Sequence, residues 1–476
     1  MDSWTQESEA AFSAYVDDLV KVIGHADRAD PLRDYCLGLL MPLERKSVEP
    51  MAAVTAPARV AAKHQSLLHF VGQAPWSDEA VMAQVRHHVL PIVERHGPIR
   101  AWIVDDTGFP KKGRHSVGVT RQYCGQLGKQ DNCQVAVSLS VANEAASLPI
   151  AYRLYLPQAW ADDPEQRRKA KVPPEVAFQR KPQIALEQIE AAKAQGVASG
   201  VILADAGYGA DGGFRAGLTA LGLVYVVGVQ PTLSVWRLGK EPLPAKPWSG
   251  KGRPPSLLRR SPDAKPVSAK ALAEQLPSEA WQTITWREGT NVDLTSRFAA
   301  VRLRPASRDY NRSEPHAVEW LMVEWPEDAA EPIKYWLSTM PPETSIKDLV
   351  ETTKLRWRIE RDYQDLKQEL GLGHYEGRGW RGFHHHASLC IAAYGFLIAL
   401  RGMIPPSASA CPKGGPAPHL PSGRRPRGSA GPARAPRAHL HRDDAAAPHP
   451  RPRPAPLPMP MLQPIQHTPS SHYMTQ

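Results

Sequence analysis

The chain has 476 residues, 42% of them hydrophobic, and a formal charge of +10; that is enough for two or three domains with a sizeable core. Nowhere does an uninterrupted apolar run approach the roughly 18 residues a membrane span needs, and the polar, acidic start Met1-Asp2-Ser3-Trp4-Thr5-Gln6-Glu7 speaks against a secretory signal. Five cysteines (Cys36, Cys124, Cys133, Cys390 and Cys411) form no Cys-x-x-Cys pair, so they read as reduced thiols of a cytosolic protein, not as a zinc or disulfide framework.

Residues 1–97 read as a helical domain. Phe12, Tyr15, Val16, Leu19, Val20 and Ile23 recur at three- and four-residue spacing, as do Val81, Val85, Val89 and Val93. Between them lies an alanine-rich stretch with Arg59, Lys63 and His64. A plain helical bundle and a module that binds DNA ends both remain open. Residues 98–230 change to strand patterns at 102–106, 133–142 and 148–156. A helix over 183–195, a strand over 201–205, a helix over 212–221 and a strand over 223–229 follow. Three strands and then alternating elements imply a mixed sheet covered by helices.

Residues 231–343 read as an insertion. Its first part is loop-like and basic, with Trp236-Arg237, Lys251-Gly252-Arg253-Pro254-Pro255 and Arg259-Arg260, clusters suited to tracking phosphates. Its second part alternates like strands at 281–286, 298–303, 317–325 and 333–339, a small β-rich subdomain in which Trp320, Trp325 and Trp336 read as core. Residues 344–402 return to helices. Residues 403–476 hold 18 of the 47 prolines, and one Lys and eight Arg against Asp443 and Asp444, so most of the charge excess sits there. This tail cannot bury enough apolar surface to offset its ordering entropy and is expected to be disordered; a wrong-frame reading of a GC-rich gene end would give the same composition.

Three acidic positions carry the chemistry. Asp105 and Asp106 end the apolar run Ala101-Trp102-Ile103-Val104, and Asp205 ends Val201-Ile202-Leu203-Ala204. Glu360 lies in a charged helical segment running from Arg356 to Lys367. Strand-end carboxylates plus one from a helix suit a pair of hard cations, Mg²⁺ above all, and such a pair stabilises both oxygens of an in-line phosphoryl displacement. At about 100° per residue, Thr353, Arg356, Glu360 and Lys367 fall on one helix face, beside an apolar stripe of Leu355, Ile359, Leu366 and Leu370. The plainer reading of Arg356 and Glu360 is a surface i,i+4 ion pair. Gly125-Gln126-Leu127-Gly128-Lys129-Gln130 lacks the P-loop pattern, which disfavours ATP. His384-His385-His386 reads as flanking the apolar helix 389–400, with some rings facing DNA, in preference to a metal site.

The stretches Val104-Asp105-Asp106-Thr107-Gly108-Phe109-Pro110-Lys111-Lys112-Gly113, Leu203-Ala204-Asp205-Ala206-Gly207-Tyr208-Gly209 and Arg356 through Lys367 together resemble insertion-sequence transposases of the DDE type, the group with a Tyr-Arg-Glu-Lys signature. The segment from Gly371 to Phe396 also resembles them. This resemblance implies an RNase H-like mixed sheet with helices on both faces and a β-strand insertion. It implies dependence on two Mg²⁺ ions, with Mn²⁺ a substitute, and a homodimer that pairs the terminal inverted repeats of a transposon in double-stranded DNA before joining them to target DNA. By position, Asp106, Asp205 and Glu360 become catalytic metal ligands, with Asp105 the alternative to Asp106. Thr107 directly after Asp106 favours the latter. Arg356 and Lys367 match the signature and, with Lys111 and Lys112, become DNA contacts; Thr353 stands where the family has Tyr. A stand-alone metal-dependent endonuclease, or a catalytically silent DNA-binding derivative, is the alternative function. The expected location is the cytoplasm, at the nucleoid.

Overall fold

Three central strands are apolar along nearly their whole length because helices cover both of their faces. The computed structural model describes residues 3–287 and 294–403; the expected disordered tail, and Cys411, lie outside the described residues. Residues 10–404 form one unit. Of the other, residues 1–9 with 405–476, only 3–9 at the start of the first helix are described.

The chain begins with α1 (Ser3–Val20), α2 (Ala29–Leu40), α3 (Val48–Thr55), α4 (Val60–Gly72) and α5 (Asp78–Arg95). It then enters β1 (Ala101–Pro110), β2 (Thr120–Cys124), β3 (Lys129–Ala142) and β4 (Ser147–Leu154), all paired antiparallel through β3. Short helices α6 (Gln158–Ala161) and α7 (Pro164–Ala170) lead to α8 (Lys181–Ala194). Next come β5 (Val201–Ala204), the single turn α9 (Ala206–Gly209), α10 (Gly212–Ala220) and β6 (Tyr225–Val229). Strands β1, β5 and β6 run parallel.

The second half adds β7 (Ser234–Arg237), β8 (Val267–Ser268), α11 (Ala269–Ala273), β9 (Trp281–Arg287), β10 (Leu294–Pro305), β11 (Glu319–Glu324) and β12 (Lys334–Ser338). These strands extend the central sheet: β12 pairs antiparallel with β6, and β11, β10, β7 and β8 follow outward. The basic segment before β8 is mostly irregular, as its Pro and Gly content dictates.

Helices α12 (Ile346–Lys354), α13 (Trp357–Gln364) and α14 (Trp380–Met403) close the fold. Leu349, Val350, Leu355, Ile359 and Tyr363 pack on one face of the sheet with Ile103, Leu203 and Trp336. Trp102, Val104, Ile202 and Ala204 face the other layer, with Ile184 and Ile189 of α8 and Phe214 and Leu218 of α10. Among the described helices α14 has the length and apolarity to cross a membrane, yet its residues are buried within the N-terminal helices and β4. The histidines expected to flank it are inside it. His386 contacts the Tyr35 hydroxyl (2.8 Å) and the Gly371 carbonyl (3.0 Å). His384 accepts from the Leu154 amide and faces the Trp380 carbonyl; His385 stacks on Trp76 between the carbonyls of Val71 and Trp76. None is exposed to contact DNA. Their role is to satisfy buried backbone and hydroxyl groups that the all-apolar reading of the helix left without partners.

Candidate active site

Strand alternation decides which aspartate meets which neighbours. Ala101 pairs in register with Val201 and Ile103 with Leu203, so Asp105 and Asp205 are the next matched positions on that same face, where the strands end. Asp106, one residue on, points to the other face. There its Oδ2 pairs with Lys181 Nζ at 2.8 Å, at the start of α8, and accepts from the Tyr208 hydroxyl at 3.4 Å. Asp106 is the ligand favoured from sequence, and it lies across the sheet from Glu360; its neighbour Asp105 takes the position on the Glu360 side.

Asp205 caps α9: its Oδ1 accepts from the amides of Gly207 (2.9 Å) and Tyr208 (3.3 Å). The turn lies directly on β6. A Cβ at Gly209 would come within 2.0 Å of the Gly228 carbonyl oxygen, and one at Gly228 within 2.7 Å of the Ala206 nitrogen. Glycine at both positions therefore seats the Asp205 turn against the sheet.

The helical side is interrupted. α12 stops at Lys354, α13 starts at Trp357, and the ladder widens to π-type over Asp365–Glu369. Of the four residues expected on one continuous face, Arg356 and Glu360 stay together while Thr353 and Lys367 turn elsewhere. Thr353 is buried and donates to the Leu349 carbonyl at 2.6 Å. Lys367 reaches across to the Gly108 carbonyl (2.8 Å) and the Gln126 side chain (3.1 Å). Of the apolar stripe, Leu355 and Ile359 join one core layer and Leu366 and Leu370 the other. Lys354 closes α12 at the break. Its ammonium pairs with buried Glu324 of β11 at 2.8 Å and lies 4.1 Å from the Trp286 ring centroid, beside Phe298.

Arg356, at the break, is the hub. Its Nη2 donates to Asp105 Oδ2 at 2.7 Å and its Nη1 to Glu360 Oε1 at 3.3 Å; its Nε is buried with no hydrogen-bond partner among the described residues. It also feels the charge of Asp205. The Asp105 side chain is 14% exposed and that of Glu360 69%. Burial pushes the Asp105 carboxyl up to about 7 against the pull of Arg356, and the charges of Asp205 and Asp106 add to the rise. Lys367 is pushed down to about 8 by burial. Lys111 donates to the Tyr375 carbonyl at 2.8 Å and is half-buried, whereas Lys112 is exposed.

The donor set suits a hard divalent cation, since it offers carboxylate oxygens and no sulfur or imidazole. In this arrangement a guanidinium, tethered to the chain, bridges two of the three carboxylates. Among the described residues no group of three or more His, Cys, Asp or Glu side chains is close enough to hold a metal ion. Sequence reading missed Lys181, Tyr208 and Lys354; the first two sit on α8 and α9 and meet Asp106 because strand alternation turns it toward them, which a residue-pair motif does not encode.

Residues 18–292 match the sequence profile of the DDE superfamily endonucleases, and the chain belongs to that family. The matched segment contains Asp105, Asp106 and Asp205 and ends before Glu360. Over 195 residues the chain is 28% identical to a probable transposase for insertion sequence element IS701 from Microchaete diplosiphon. That alignment covers 41% of this chain, which thereby spans about half (47%) of the relative's length.

Proposed function

We propose that the chain is an insertion-sequence transposase that cuts double-stranded DNA at the element's terminal inverted repeats and joins the ends to target DNA, using Asp105, Asp205 and Glu360. The observation carrying this reading is that Asp105 and Asp205 end adjacent parallel strands in register, on the sheet face that bears α13, with Arg356 shared between Asp105 and Glu360. The antiparallel run β4-β3-β1 followed by parallel β5 and β6 supports an RNase H-like core. We assign the ligand role to Asp105 over Asp106, because Asp106 is tied to Lys181 on the opposite face.

The cofactor is Mg²⁺, as two ions, with Mn²⁺ a substitute; when bound it would make the attacking water more acidic and neutralise charge developing on the phosphodiester. Asp105, Asp205 and Glu360 would hold it, and Arg356, displaced from the carboxylates, would pair with the scissile-strand phosphate. Lys367 braces the end of β1 through the Gly108 carbonyl. Water oxygen attacks phosphorus and the bond to the 3′ oxygen breaks, which leaves a 3′-hydroxyl at the element end. That hydroxyl attacks a target phosphodiester, forming one bond as another breaks, and no covalent protein–DNA intermediate arises. A homodimer would hold the two ends together, at the nucleoid in the cytoplasm.

The test is strand cleavage with oligonucleotides carrying the inverted repeats that flank the gene. Glu360→Ala should abolish cleavage and leave end binding largely intact; retained Mg²⁺-dependent nicking refutes the assignment. Cutting without strand transfer by the unaltered chain would make it a stand-alone endonuclease.

A further inference from the structure

We propose that the cleft between α10 and the 306–317 loop is a second DNA contact, which takes a nucleotide of a strand on the sheet face opposite Asp105. The proposal rests on the reading that the chain acts on DNA and adds a site to it. The cleft has a volume of about 830 Å³ and is lined by Arg180, Arg215, Arg308 and Arg312 against Asp211 and Glu319. That size is within the usual range for ligand sites. Arg180 is paired with Asp211 and Arg215 is buried on the Gly209 carbonyl beside Glu319, which leaves the exposed Arg308 and Arg312 as the guanidiniums offered at its rim.

The loop is built to present one of these cations. Arg308 is left-handed, with φ 58° and ψ 24°, a conformation that costs free energy for any residue with a Cβ. Its neighbours hold it there. Asp309 is almost wholly buried and accepts from the Trp236 indole. His316 lies 3.8 Å from Asp309 and 2.8 Å from the Ser307 carbonyl, so the chain is clamped on both sides of Arg308. Glycine would adopt this backbone without strain, but only an arginine puts a guanidinium at the cleft mouth. Such a conformation at a non-glycine position persists because the surrounding contacts over-determine it. Arg312 lies beside it, its Nε on the Glu314 carbonyl at 3.2 Å.

A second observation points to the ligand. Glu319, at the cleft wall, is 6% exposed, and its Oε2 is buried with no hydrogen-bond partner among the described residues. The Tyr225 hydroxyl and the Arg215 guanidinium engage the same carboxylate group, which leaves Oε2 as its open oxygen. A bare phosphate would not use this carboxyl group, whereas a nucleotide would: planar guanidinium forks suit its phosphate, and Glu319 offers a hydrogen bond to its base or sugar.

The test uses the full chain and fluorescence anisotropy, with a labelled single strand and the matching duplex over a salt series. Arg308→Gly/Arg312→Gln should weaken binding about tenfold and flatten the dependence of log K on log salt by about one contact or more, each phosphate contributing roughly 0.7–0.9 to the slope. The melting temperature should not fall, because Arg308→Gly relieves the strained backbone. An unchanged slope and affinity in the folded variant overturns the proposal alone. If the unaltered chain binds neither DNA form, this proposal and the transposase reading fall together. Thermal protection by millimolar deoxynucleoside monophosphate, lost in the variant while DNA affinity stays unchanged, would make the cleft a free-nucleotide site and overturn the DNA assignment.

Discussion

Two groups of polar side chains in this molecule follow opposite rules. In α14, both ring nitrogens of His384 and of His386 have partners that a neutral imidazole can satisfy, one as donor and one as acceptor. Around Arg356, two carboxylates share a single guanidinium within the field of a third, Asp205; its Nε is left over, and Asp105 is pushed up to about 7. The first set closes its hydrogen bonds and specifies packing. The second stores electrostatic mismatch, which is how sites that bind cations or phosphates differ from structural networks.

The largest expected effect separates adjacent residues. Asp105→Asn should lower cleavage on the order of 10³-fold, the scale of losing a preorganised electrostatic group, with DNA binding retained. Asp106→Asn removes a partly exposed partner of Lys181, should change stability by less than about 1 kcal/mol, and should leave cleavage within about tenfold. Single-turnover cleavage of the two variants side by side makes the comparison; equal losses would break it.

Next in size is the structural set. His386→Phe leaves the buried Tyr35 hydroxyl and Gly371 carbonyl without their partner, and should destabilise by about 1–3 kcal/mol while activity per folded molecule holds in chemical denaturation and cleavage assays. The pH dependence of that difference carries a sign. Burial pushes His386 down to about 4 from 6.5, so the unfolded chain binds a proton that the fold refuses between those values. The stability His386 confers is complete above pH 6.5 and is lost as pH falls through about 4, at up to about 1.4 kcal/mol per unit. The gap between the unaltered chain and His386→Phe should therefore shrink on acidification. The active site moves on a different scale: with its carboxyl raised to about 7, Asp105 is mostly protonated below that pH. Mn²⁺ affinity measured by calorimetry should thus weaken toward tenfold per unit as pH drops below 7, and Asp105→Asn should flatten that trend.

Much of the sheet was legible because its strands are short apolar runs closed by turn residues: 201–205 and 223–229 correspond to β5 and β6 within two residues. What escaped depended on contacts far apart in sequence. The strands after residue 280 show alternation, but nothing local says that β12 pairs with β6 and carries them into the central sheet. Thr353 through Lys367 has unbroken helical periodicity, whereas in the structure the backbone tightens to i→i−3 hydrogen bonds at Leu355, Arg356, Arg358 and Ile359 between α12 and α13, and Arg356 turns onto Asp105. Thr107 after Asp106 argued for Asp106, whose carboxylate pairs with Lys181 on the face away from α13, since a motif names neighbours and not faces.

The smallest expected effect tests the same contrast at the surface. Lys111 and Lys112 are adjacent and were equal candidates for phosphate contact. The Lys111 ammonium is half-buried on the Tyr375 carbonyl, and burial lowers its pKa; Lys112 is exposed. A cation already engaged with a carbonyl adds little to counterion release, because it meets no phosphate when DNA arrives. Lys112→Gln should therefore reduce the salt slope of DNA binding by about one contact and weaken affinity severalfold. Lys111→Gln should leave that slope unchanged and register in the melting temperature. If Lys111 moves the slope and Lys112 does not, its bond to Tyr375 is one that DNA displaces, and the division between satisfied and available cations fails at this edge of the site.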